Sequence, residues 1–235
     1  MKHFISRRNF LKAVGVTAAA SAMAAAVPQA SAGFLTGKDA AVTILYTNDV
    51  HTYIDHKSPK LTYAAIAAMK QGYVDEGKPV LLVDAGDHIQ GTAYGSMDDG
   101  ATIIELMNEA GYDIATLGNH EFDYGMARAK AIIKEADFPY VSCNWVDLRT
   151  GLRVLPAVKL FPAGGKWIAF VGITTPESFT KSTPAYFMNA KQTRYIYDIL
   201  GGDDGRKLYD AVQKAIDKAK TLGADIIIGL RSEER

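Results

Sequence analysis

Cysteine is nearly absent from this 235-residue chain: Cys143 stands alone. An internal disulfide is therefore excluded, and the fold must rest on packing. The setting of that thiol, Pro139-Tyr140-Val141-Ser142-Cys143-Asn144, reads as the end of a buried strand, so a core thiol is expected rather than a nucleophile. Charge of one sign is also lacking, since 26 basic residues balance 26 acidic ones. There is no basic run of the kind that holds nucleic acid, so nucleic acid is not an expected partner. Beyond the N-terminal region no apolar run is long enough to span a bilayer, and no stable membrane partner is expected.

The N-terminus is set apart by composition. Ser6-Arg7-Arg8-Asn9-Phe10-Leu11-Lys12 fits the twin-arginine export pattern, an alanine-rich apolar stretch follows from Ala13 to Val27, and Ala30-Ser31-Ala32 offers a small-x-small cleavage site. The alternative is an uncleaved anchor. The expected organisation is a twin-arginine signal peptide over 1–32, a linker over 33–41 and a single domain over 42–235. The twin-arginine machinery is the expected export partner, and the destination is periplasmic or extracellular. The leader holds Lys2, Arg7, Arg8 and Lys12 and no acidic residue, so the remainder carries 22 basic residues against 26 acidic ones, a net −4.

Past the linker, strand-like and helix-like segments alternate. Strands are expected at Val42–Thr47, Pro79–Val83, Tyr112–Leu117 and around Tyr140–Ser142. Helices are expected at Pro59–Val74, with Leu61, Ala65, Ala68 and Met69 on one face, at Ala101–Ala110 and at Met126–Ala136. Val158–Phe161 and Trp167–Thr174 read as a hairpin turning at Pro162-Ala163-Gly164-Gly165. A less regular region with a long surface loop runs from Thr175 to about Gly205. An amphipathic helix follows, carrying Leu208, Val212, Ala215, Ile216 and Ala219, and Ala224–Gly229 reads as another buried strand. Such alternation points to an α/β domain with a largely parallel sheet, whose ligands gather at the carboxyl ends of strands.

Three polar motifs sit at three such ends: Thr47-Asn48-Asp49-Val50-His51, then Asp84-Ala85-Gly86-Asp87-His88-Ile89-Gln90-Gly91, then Leu117-Gly118-Asn119-His120-Glu121-Phe122-Asp123. Carboxylate, imidazole and amide oxygen are ligand types for Zn, Mn, Fe or Mg. Singly, each motif has an ordinary reading: a loop, a Gly-Asp turn, a helix entry capped by Asn119. Three in order after three strands point to a metal site, and two cations held close together can clamp a phosphoryl group. Among the remaining histidines, His3 lies in the leader and His56 reads as a solvated loop residue. His88 either supports its neighbour Asp87 from behind or packs in the core.

These blocks resemble the signature motifs of calcineurin-like metallophosphoesterases, and Thr-Asn-Asp with Glu-Phe-Asp resembles the 5′-nucleotidase branch. The resemblance implies a layered α/β/β/α metallophosphoesterase sandwich. It implies two divalent metal ions (Zn, Mn or similar), with Asp49 and His51 on the first, Asp87 bridging both and Asn119 on the second. His120 would stabilise the phosphoryl group, and Asp123 would hold its ring. The implied reaction is nucleotide to nucleoside plus phosphate, by a hydroxide activated by the two metals. Alternatives within the family are cyclic-nucleotide phosphodiesterase, nucleotide-sugar hydrolase and sulfur-oxidation hydrolase activities. Thr52 stands where many nucleotidase relatives have glycine, which leaves substrate class open.

The family completes its site with a histidine after the next buried strand and a later Gly-His-x-His-like pair, and it grips the nucleoside with a C-terminal domain. No histidine follows His120 here, and Leu230-Arg231-Ser232-Glu233-Glu234-Arg235 ends the sequence. The resemblance thus implies a sandwich incomplete at its C-terminus through a frameshift, a gene fragment or a cloning boundary, the alternative being a shorter natural homologue that ends in a solvated charged tail. It implies impaired hydrolysis and marginal stability or association through a sheet edge. The competing reading is an inactive remnant or weak metal binder.

Overall fold

In the computed structural model the described residues are 40–53 and 62–232. The expected leader, most of the linker and His56 lie outside them. β1 (Thr43–Thr47), β2 (Val80–Asp84) and β3 (Ile114–Ala115) form one parallel sheet in that order. Thr43 lies opposite Val80 and Thr47 opposite Asp84, while Asp84 lies opposite Ala115. The three strands therefore end side by side on one edge. A second sheet joins β6 (Val158–Ala163), β7 (Lys166–Gly172) and β9 (Ile226–Leu230); β6 runs antiparallel to β7, and β9 parallel to it. The β6–β7 turn narrows to Gly164-Gly165, both at positive φ, as a two-residue hairpin requires.

The layering follows from the two faces of the central strands. Along β2, Leu82 packs toward the helices α1 (Tyr63–Asp75), α3 (Ala101–Ala110) and α4 (Gly125–Glu135). Its neighbours Leu81 and Val83 face the other way, onto Phe161, Ile168 and Phe170 of the second sheet. Along β7, Ala169 and Val171 turn outward onto Ala211, Ala215 and Ala219 of α6 (Arg206–Thr221). Period-two alternation thus buries both faces of each sheet and stacks the chain as α/β/β/α. Two short helices, α2 (Ala93–Ser96) and α5 (Ser178–Lys181), lie in the connections.

Several expectations are corrected. The face of α1 that is buried carries Tyr63, Ile66 and Lys70, whereas Ala68 and Met69 are exposed and Leu61 lies outside the described residues. Lys70 is held inside by Asp113 (2.7 Å) and the carbonyl of Gly111 (2.5 Å), a pairing that spacing cannot reveal. The segment at Tyr140–Ser142 makes one bridge, to Ala115, because Ser142 N–H leaves the sheet to donate to Pro156. The region after Thr175 is no mere surface loop. It buries Phe187 in the core and supplies β8 (Tyr197–Ile199) to a third, antiparallel sheet with β4 (Trp145–Asp147) and β5 (Leu152–Arg153). β9 is an edge strand with Ile226 44% exposed, not the fully covered strand its apolar run suggested.

Candidate metal and phosphoester site

The loops after β1, β2 and β3 are tied to one another by backbone. Asp49 N–H donates to the carbonyl of Gly86 (3.1 Å), and His51 N–H to that of Asp87 (3.0 Å). Four non-glycine residues here, Asp49, His51, Thr52 and Asp87, have φ between 47° and 59°. Side chains other than glycine pay for left-handed backbone, and such strain concentrates at functional loops. Glycine is required where the loops touch. A Cβ on Gly118 would run into the Asp87 carboxylate, and one on Gly91 into the His51 backbone.

Asp49 and Asp87 converge. The Asp87 side chain is fully buried, and its Oδ1 accepts the N–H of His120 (2.7 Å). Burial, with the neighbouring Glu121 charge, pushes its carboxyl up to about 7. A buried carboxylate of this kind is short of positive charge. Asp49 Oδ2 accepts from the Asn48 amide (2.5 Å). The other oxygen of each carboxylate accepts from one hydroxyl, that of Ser232, at 2.8 Å to Asp49 and 2.5 Å to Asp87.

The two histidines are presented by a common device. His51 Nδ1 lies 3.2 Å from the Gln90 carbonyl, which can only accept, so Nδ1 carries the proton and Nε2 the ligating lone pair. His120 Nδ1 lies 2.6 Å from Asp123 Oδ2, which fixes the orientation of the ring. The two rings meet edge to face with centroids 4.9 Å apart, and the His120 and Asp123 side chains are each about one-fifth exposed. Asn119, at the head of the same turn, is buried.

Beneath this layer lies a group that pattern reading passed over. Glu121, within the third motif, is fully buried and accepts three backbone N–H groups: Asp87 (2.8 Å), His88 (2.9 Å) and Gly118 (2.7 Å). It locks the second loop to the third. His88 packs below, with Nδ1 on Asp84 (2.7 Å) and Nε2 on the Tyr140 hydroxyl (2.8 Å). Burial works against its charge, but Glu121 and Asp84 overcome it and push the ring up to about 9. Of the two readings offered by the sequence, the structure shows His88 as a core residue, its ring held between Asp84 and Tyr140. Thr52, the departure from glycine, has its own work: its hydroxyl pairs with the Thr92 hydroxyl (2.7 Å) and accepts the Thr92 N–H (2.6 Å). For Asp84 the sequence held a signal, its place at the strand end. For Ser232 the signal was its place just after the strand that the resembled family follows with a site histidine.

Among the described residues, no group of three or more His, Cys, Asp or Glu side chains is arranged to hold a metal ion. The donor types nevertheless suit one. Two carboxylates meet at one point, an imidazole is held in the ligating tautomer, and Gly118 leaves room against Asp87 that a side chain would fill.

Comparison with known proteins agrees with this architecture. The calcineurin-like phosphoesterase family matches residues 42–228. Human 5′-nucleotidase is 33% identical over 207 residues, covering 80% of this chain and 33% of its own length. The protein UshA of Salmonella pullorum is 32% identical over 185 residues, covering 76% and 33%. Among solved structures, a 5′-nucleotidase precursor from Thermus thermophilus superposes with a TM-score of 0.65 at 27% identity, covering 81% of this chain and 36% of that one. The calcineurin-like phosphoesterase YfkN of Bacillus subtilis gives 0.62 at 28% identity, covering 81% and 61%. The chain spans about a third of the length of the curated relatives it matches. On its matched sequence and its layered fold, it belongs to the calcineurin-like phosphoesterases.

Proposed function

We propose that this chain carries the catalytic layer of an exported, metal-dependent phosphomonoester hydrolase acting on nucleotides. One observation supports this above others: Asp49 and Asp87, from two different strand ends, bring carboxylate oxygens to a single point beside His51 and His120. Asp49 and His51 would hold one divalent ion, Asp87 would bridge, and Asn119 would serve a second. When bound, such ions supply Lewis-acid stabilisation of phosphoryl oxygens and acidify water. The chain's own residues do the rest. The Gln90 carbonyl fixes His51, and Glu121 fixes the loop that carries Asp87. Asp123 orients His120 and favours its charged form, so Nε2 can hold a proton against a phosphoryl oxygen as negative charge builds there. Export rests on the twin-arginine pattern of 1–32; no helix among the described residues is long and apolar enough to cross a membrane.

The test is phosphate release from adenosine monophosphate and from p-nitrophenyl phosphate with added Mn²⁺ or Zn²⁺. Asp87→Asn is expected to lower turnover at least about 100-fold, and Asp123→Asn about 10- to 100-fold. Turnover that survives both Asp87→Asn and a chelator would overturn the proposal. A second reading, a weak single-cation binder without turnover, is favoured by the lack of any three-ligand group among the described residues. It predicts Mn²⁺ binding with no phosphate release.

A further inference from the structure

Ser232 follows β9, the edge strand that pairs parallel to β7 and carries the chain to the site. Its backbone is pinned on both sides. Ile173 N–H donates to the Leu230 carbonyl (2.9 Å), and the Thr175 hydroxyl donates to the Ser232 carbonyl (3.1 Å). The side chain is 1% exposed, and its hydroxyl lies within hydrogen-bond reach of Asp49 Oδ1 and Asp87 Oδ2 together. These carboxylates come from residues 183 and 145 positions away in sequence. Two carboxylates drawn to one point repel, and one hydroxyl proton shared between them offsets that repulsion. The oxygens it engages are those a cation between Asp49 and Asp87 needs.

We propose that Ser232 is a positioning residue that clamps Asp49 to Asp87 in the metal-free chain and competes with a divalent cation for the same two oxygens. The competition rests on the reading that a cation binds between these carboxylates. The clamp itself does not. Ser232 thereby lowers cation affinity while keeping the carboxylates in register for it.

The experiment measures the melting temperature of the chelator-treated chain and the dissociation constant for Mn²⁺, read from the electron paramagnetic resonance of unbound ion. Ser232→Ala is expected to lower the metal-free melting temperature by about 5 °C, since a charge-assisted bond is lost and the buried Asp87 carboxylate is left facing the half-buried one of Asp49. The same variant is expected to bind Mn²⁺ about fivefold tighter, because no hydroxyl has to yield. Ser232→Cys keeps the volume and donates weakly, so it should fall between the two. In an Asp49→Asn background, Ser232→Ala should cost about half as many degrees, the charge pair being gone. An unchanged metal-free melting temperature overturns the clamp. Weaker Mn²⁺ binding by Ser232→Ala overturns the competition and makes the hydroxyl a ligand. Absence of Mn²⁺ binding in parent and variant alike sinks the cation reading and the competition with it, while a lowered melting temperature still upholds the clamp.

Discussion

Glu121 illustrates how much of this site depends on a residue that touches no reacting atom. Its two carboxylate oxygens take three backbone N–H groups from two loops, and the second loop carries Asp87. Substituting Glu121→Gln exchanges one acceptor oxygen for a donor that must face at least one of those N–H groups. The expected cost is about 1–3 kcal/mol, seen as a fall of about 5 °C in melting temperature, with weaker Mn²⁺ binding alongside. A variant that melts with the parent would show that the loop register is set elsewhere. The residues of the three motifs were legible in sequence because acidic and imidazole side chains cluster there after apolar runs. Their supports were less so. A buried glutamate looks the same in sequence as a solvated one, and only the N–H groups around it reveal the difference.

At the scale of elements, the strands β1, β2 and β3 and the helices α3, α4 and α6 follow the periodicities of the sequence within a few residues. The exceptions have local causes. Helix α1 is rich in alanine, so its apolar phase is poorly marked, and the face that wins is the one whose lysine finds a buried partner. That ion pair links α1 to the β2–β3 crossover, because Asp113 Oδ2 also accepts the Leu82 N–H (2.7 Å). Lys70→Met is expected to cost about 3–5 kcal/mol in urea unfolding, as it strands a buried carboxylate. Adding Asp113→Leu should recover a large part of that loss, since the stranded charge is then removed. If the single variant unfolds with the parent, the pair is not what sets the phase of α1. The third sheet escaped pattern reading because β4, β5 and β8 are two or three residues long and come from distant segments. Strands that short carry no readable alternation.

For the whole molecule, Cys143 reports on packing. It lies in the cluster between β7 and α6, and burial pushes its thiol up to about 11. Between pH 9 and about 11 the folded chain keeps a proton that the unfolded chain releases, so this group's stabilising contribution is full below pH 9 and is lost as pH rises through about 11. At pH 8 a thiol reagent should therefore modify Cys143 only at the rate of unfolding, and modification should accelerate in step with urea denaturation. Rapid reaction in the absence of denaturant would show that the second sheet and α6 separate readily.

Local order in the chain decided where strands stop and which side chains wait at their ends, because period and residue type are properties of neighbours in sequence. The α/β class, the three polar loops and the ligand types of the site all belong to that level. What no neighbour relation could settle is which distant groups meet: that Leu82 and Leu81 face different layers, that Lys70 is buried, that Glu121 gathers two loops, and that Ser232 closes on Asp49 and Asp87. Those outcomes depend on long-range burial. A polar group withdrawn from water must find a partner wherever the packed chain brings one, and sequence separation has no bearing on that choice.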